Sequence, residues 1–88
     1  MMAGRDLKTE EIVYNRIQLL RTERGWSRQQ LAGLLGVHYQ TIGYLERGEY
    51  APSLHLSLRI AELFGLPVDA IFSLEAFRNL SPEALLSR

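Results

Sequence analysis

Apolar residues fall along this chain in short clusters at helical spacing, separated by glycines and small polar residues. Ile12, Val13 and Tyr14 form a partly β-branched run, expected to lie as a strand beside the C-terminal third. Asn15 followed by Gln18 has the form of a helix start, so a first helix is predicted over residues 16–24, closed by Gly25. Ser27 with Gln30 repeats that start signal, and Trp26 and Leu31 flank it at the spacing of a hydrophobic staple; a second helix follows over 28–35. Trp26 is therefore assigned to the core rather than to a ligand site. The second helix carries Leu31, Ala32, Leu34 and Leu35 and stops at Gly36. In a third helix, 38–47, Ile42 and Leu45 turn inward with Val37 just before them, while Tyr39, Gln40, Gly43, Tyr44 and Arg47 fall on the other side.

Beyond Gly48, Ala51, Pro52 and Ser53 make a turn and a cap for a fourth helix, whose buried stripe is predicted to be Leu54, Leu58, Ala61 and Phe64. Gly65 and Pro67 end it. Residues 68–72 suit a short fifth helix, 73–77 an extended segment, and Ser81, Pro82 and Glu83 the opening of a last short helix. The fold class is all-α with five helices, extended by a short β pairing of the N- and C-terminal segments and a C-terminal helix. Residues 1–11, polar and aperiodic, form a flexible arm; 12–74 form the folded domain, and 75–88 an extension assigned to dimerisation.

One helical pair stands out by its spacing. Leu31, Ala32, Leu35, Gly36, Val37, Ile42 and Leu45 all occupy positions that a helix-turn-helix requires: a small residue where the helices cross, a glycine at the sharp turn, and larger apolar side chains filling the wedge between them. The competing reading is an αα-corner with no DNA function.

Charge alters this picture only through its distribution. Ten basic and ten acidic side chains cancel, which gives no overall support to nucleic-acid binding. Residues 14–47, however, hold Arg16, Arg21, Arg24, Arg28 and Arg47 against Glu23 and Glu46, whereas 48–88 hold three arginines against five acids. The 88 residues suffice for one small core. Without cysteine there is no thiolate metal site, and His38 and His55 have no acidic cluster around them, so neither metal nor cofactor is expected. The apolar stretch 63–71 is interrupted by Gly65, Pro67 and Asp69, which argues against a membrane span. Charged residues 5–11 leave no apolar region of a signal peptide, and the expected location is the cytoplasm. No cysteine nucleophile, glycine-rich phosphate loop or convergent acid, base and nucleophile marks an enzyme.

The stretches SRQQLAGLLGV, QTIGYLERGEYAPSL and IAELFGLPVDAIF strongly resemble the Cro and phage-repressor family of helix-turn-helix regulators, Xre-like, in its compact single-domain form; the likeness covers residues 12–74. It implies a five-helix lambda-repressor-like domain that binds palindromic double-stranded operator DNA as a homodimer and regulates transcription, as a repressor. By this likeness the helix beginning near His38 is the recognition helix, with Tyr39, Gln40 and Tyr44 at base-contacting positions. Gln40 suits an adenine edge, because its amide both donates and accepts. The two tyrosines suit thymine methyls or phosphates, or else protein contacts. Arg28 and Gln29 at the start of the second helix, with Thr41 and Arg47, match phosphate-binding positions, although a helix-backbone bond is an equal reading for Thr41. Arg21 and Glu46 match a structural ion pair. Gly43 admits two readings, close approach of the backbone to DNA or drift at a tolerant surface position.

Two departures from the family pattern qualify the expectation. His38 replaces the usual serine or threonine cap, so the reading helix is expected to be less firmly capped or sensitive to pH. Glu49 stands where lysine is frequent and repels phosphate, which predicts modest affinity and dependence on dimerisation. The apolar series Ile71, Phe72, Leu74 and Phe77 is assigned to the dimer interface. Two alternatives remain open: an antitoxin with a toxin partner, and a protein-interaction module using Tyr39, Tyr44 and Tyr50 as an aromatic patch.

Overall fold

A computed structural model describes residues 12–49 and 51–77. The elements run β1 (Tyr14–Asn15), α1 (Ile17–Glu23), α2 (Arg28–Leu35), α3 (Tyr39–Glu46), α4 (Leu54–Phe64), α5 (Val68–Ile71) and β2 (Phe72–Ser73). The predicted arm before residue 12, Tyr50 and the helix predicted from Ser81 lie outside the described residues.

Local chemistry sets the boundaries. Ser27 and Gln30 form the reciprocal capping box of α2: the Ser27 hydroxyl accepts from the Gln30 N–H at 3.0 Å, and Gln30 Oε1 accepts from the Ser27 N–H at 2.7 Å. The turn to α3 passes through Gly36 at φ 71°, a left-handed conformation that a Cβ would penalise. Ser53 caps α4 by accepting from the Leu56 N–H at 3.1 Å. At α1 the expectation shifts by a residue. Asn15 lies in β1 and accepts from the Ile17 N–H, while Arg16 occupies the cap position without a side-chain bond.

Every helix contributes to one core. Ile17 of α1, Leu31 and Leu35 of α2, Ile42 and Leu45 of α3, Ile60 of α4 and Ile71 of α5 are all fully buried. Trp26 packs against this cluster, its ring 5.8 Å from that of Phe64, consistent with its assignment to the core. Leu34, read as one of the apolar residues of α2, is half exposed.

The stripe of α4 differs from its prediction. Leu54 and Leu58 are 66% and 52% exposed, and the face turned inward is Ser57, Ile60, Ala61 and Phe64. A serine at a core position concealed this phase. Its hydroxyl donates to the Ser53 carbonyl at 2.9 Å, so it enters the core with its hydrogen bond made.

The segments that flank the five helices, β1 and β2, form an antiparallel pair, Tyr14 opposite Ser73 and Asn15 opposite Phe72. The Arg16 N–H adds a bond to the Ile71 carbonyl at 2.9 Å. This corrects one part of the dimer assignment: Ile71 is spent on the chain's own core and has no surface to offer a partner. Phe72 and Phe77 are half buried, and Leu74 is 82% exposed.

Replacing Ser27 by alanine opens the capping box without touching the core, and it is expected to cost about 1 kcal/mol. For a domain of this size that lowers the thermal midpoint by about 4–8 °C, measurable by circular dichroism. An unchanged midpoint contradicts the role of the cap.

Candidate nucleic-acid interface

The inward turn of Ile42 and Leu45 leaves the opposite side of α3 facing solvent, and Tyr39, Gln40 and Tyr44 are exposed there. Geometry thus brings together the three side chains picked out as base readers. Helix α3 begins at His38, whose Nδ1 accepts from the Gln40 N–H at 3.1 Å and whose ring stacks on Tyr39 with centroids 4.7 Å apart. The expected cap is therefore made by an imidazole, and its acceptor role requires an Nδ1 without a proton. Thr41 is half buried between this face and the core.

Beside this face lies the start of α2. Ser27, Arg28 and Gln29 share a recess with Tyr39 and Arg21, so the expected phosphate binders adjoin the expected base readers. A second recess, of about 210 Å³, is lined by Arg28, Tyr39, Gln40, Gly43, Tyr44 and Arg47.

A buried carboxylate holds the two helices in this relation. The Glu46 side chain has 0% exposure and receives Arg21 Nε at 2.6 Å and Arg28 Nε at 2.9 Å. Arg21 Nη2 adds a longer bond to Glu46 at 3.3 Å, and its Nη1 donates to the Trp26 carbonyl at 2.8 Å. The ion pair expected between Arg21 and Glu46 is present, and Arg28 makes it a triad. Sequence reasoning assigned Arg28 to phosphate alone; no spacing signal connects positions 28 and 46. Asn15 was likewise missed in its second role, donating from Nδ2 to the Leu45 carbonyl at 2.7 Å and so tying β1 to the last turn of α3.

Gly43 is buried rather than open. A Cβ built there meets Arg47 Nη1 at 3.0 Å, so a guanidinium lies directly against the position of the missing side chain. Arg47 also lies 5.3 Å from the Tyr44 ring centroid and pairs through Nε with Glu49.

Arg21→Ala is expected to destabilise the fold by about 3 kcal/mol, because it strips a fully buried carboxylate of its more enclosed partner. Arg28→Ala, whose side chain is 41% exposed, should cost about 1 kcal/mol or less. Urea denaturation of the two variants measures the difference. Equal losses contradict this ordering.

Comparison with known proteins agrees with this geometry. The helix-turn-helix family model matches residues 17–71, from the start of α1 to the end of α5. The chain is similar to YgzD of Bacillus subtilis, an uncharacterized HTH-type transcriptional regulator, with 38% identity over 61 residues, 69% of this chain and 92% of that protein. It is similar to MJ0272 of Methanocaldococcus jannaschii, of the same description, with 39% identity over 61 residues and the same two shares, 69% and 92%. The HTH-type transcriptional regulator AnsR of Bacillus subtilis is 32% identical over 71 residues, 81% of this chain and 61% of that protein. With its helical pair, its turn at Gly36 and its exposed polar α3 face, the chain belongs to the helix-turn-helix family of transcriptional regulators, of the Cro and phage-repressor type.

Proposed function

We propose that this chain binds a palindromic operator as a homodimer and represses transcription, with α3 entering the major groove. The observation that carries the reading is the division of α3: Ile42 and Leu45 are sealed in the core, while Tyr39, Gln40 and Tyr44 face outward beside the capped start of α2. In this arrangement Gln40 reads a base edge, and the tyrosines contact thymine methyls or phosphates. Arg28, Gln29 and Thr41 meet the backbone, helped by the amides at the α2 N-terminus. Arg28 Nε is engaged by Glu46, so its Nη groups are the ones presented to phosphate. Occupying an operator is by itself enough to block a promoter, so repression is the mode that a DNA-binding surface alone supplies.

Residues 12–74 serve as the DNA-binding unit, with 1–11 as an arm and 75–88 as an extension toward the partner subunit. Dimerisation uses apolar surface that one chain leaves uncovered, chiefly Leu74 at 82% exposure, flanked in sequence by the half-buried Phe72 and Phe77. No helix among the described residues is long and apolar enough to cross a membrane. In this reading the protein acts on operator DNA in the cytoplasm.

Selection from random duplexes yields the preferred operator, and Gln40→Ala then tests the assignment. Gln40 is exposed, so folding is retained; affinity should fall by about 1 to 3 kcal/mol per contact and preference should relax at one symmetric pair of positions. Those positions belong to half-sites about 34 Å apart. A uniform loss on every duplex, or none, removes Gln40 from the base-reading set.

Dimerisation has its own test. Leu74→Asp should weaken self-association at least about tenfold in sedimentation equilibrium while leaving the helical signal unchanged, since burying a lone carboxylate in an apolar interface is costly. A variant that associates like the parent moves the interface elsewhere.

A further inference from the structure

We propose that Arg47 is a specificity-determining residue that reads a guanine, positioned for this by Glu49, Tyr44 and the absence of a side chain at Gly43. The inference rests on the reading of α3 as the helix that enters the groove. Family likeness puts Arg47 on phosphate, but three observations turn its guanidinium toward a base edge.

First, the side chain does not extend away from α3. It folds back along the helix by one turn, where Nη1 lies 3.0 Å from the point that a Cβ on Gly43 would occupy. It thereby lines the same recess as Tyr39, Gln40 and Tyr44. Second, Glu49 pairs with Arg47 Nε, and both side chains are about half exposed. Arg47 and Glu49 together are locally neutral, unlike the net positive cluster of Arg21, Arg28 and Glu46, so a phosphate gains less by approaching here. A neutral base edge is not disfavoured in this way. Third, the guanidinium carbon lies 5.3 Å from the centroid of the Tyr44 ring, a contact that holds the group beside the exposed α3 face.

With Nε taken by Glu49, Nη1 and Nη2 are the donors left to the fork, which lies over Gly43 at the recess lined by Tyr39, Gln40 and Tyr44. Two parallel donors in one plane match the O6 and N7 acceptors that guanine alone presents together in the major groove. Gly43 then has a physical reason to sit in the middle of a helix, where it is otherwise unfavourable relative to alanine. A Cβ there presses on Nη1, so the guanidinium must give by a few tenths of an ångström and lose its seat over the helix.

The test starts from the operator selected by the parent protein out of random duplexes and uses a panel with every base pair varied, at fixed salt. The parent should prefer guanine at one symmetric pair of positions by about tenfold or more. Arg47→Lys keeps the charge but loses the planar fork, and it should abolish that preference while leaving the salt dependence of binding unchanged. Gly43→Ala, with Arg47 intact, should weaken preference at the same positions, with thermal melting verifying that the variant is folded. If Arg47→Lys binds every duplex more weakly by one common factor, or retains the guanine preference, the proposal is overturned. A parent protein that selects no duplex overturns the operator reading itself, and this inference with it.

Discussion

Glu46 carries a charge into a position with no side-chain exposure, and the arrangement of the proposed reading surface follows from how that charge is met. An unpaired carboxylate there would be prohibitively costly, so two guanidinium groups, one from α1 and one from the start of α2, converge on the end of α3. Arg21 also takes the Trp26 carbonyl, which fixes the turn between α1 and α2. One buried group thus specifies the orientation of three helices. Apolar packing among Leu31, Leu35, Ile42 and Leu45 supplies the cohesion; the triad supplies the register in which the α2 start and the α3 face form a single surface.

Much of this was legible in the chain. Helix boundaries at Ser27, Gly36 and Ser53 are set by local hydrogen bonding and by backbone sterics, which a sequence displays directly. Helical spacing finds Leu31, Leu35, Ile42 and Leu45 inward and Tyr39, Gln40 and Tyr44 outward, but misplaces Leu34, which is half exposed, and Gly43, which is buried. The phase of α4 was not legible, because Ser57 enters the core at the expense of Leu54 and Leu58, and only a bond to the Ser53 carbonyl makes that possible. Ile71 looked like interface for a related reason: a short apolar series does not reveal which member faces its own core. The third member of the Glu46 cluster was hidden because it depends on tertiary approach, not spacing. Glu49 was read as a repulsive charge near phosphate, whereas the fold gives it Arg47 as a partner.

Zero net charge also takes on a different meaning. Glu46 and Glu49 are paired with arginines on the reading side of the molecule, so they organise the positive groups and do not merely cancel them. In the proposed reading, attraction for DNA is local, carried by the α2 N-terminus and by the Arg28 guanidinium. Such a surface gives up long-range attraction and gains fixed geometry, which suits discrimination between sequences better than tight binding to all of them.

The most direct test of this account is the affinity of Glu46→Gln for the selected operator duplex at fixed salt, with circular dichroism verifying that the variant is folded at the temperature used. Removing a negative charge near DNA should tighten binding if the protein acts only as a sum of charges. If the buried carboxylate sets the relation of Arg28 and α3, binding should instead weaken by about tenfold, as expected for a loss of about 1.4 kcal/mol from misplaced contacts. A folded Glu46→Gln protein that binds the operator as tightly as the parent, or more tightly, contradicts the account.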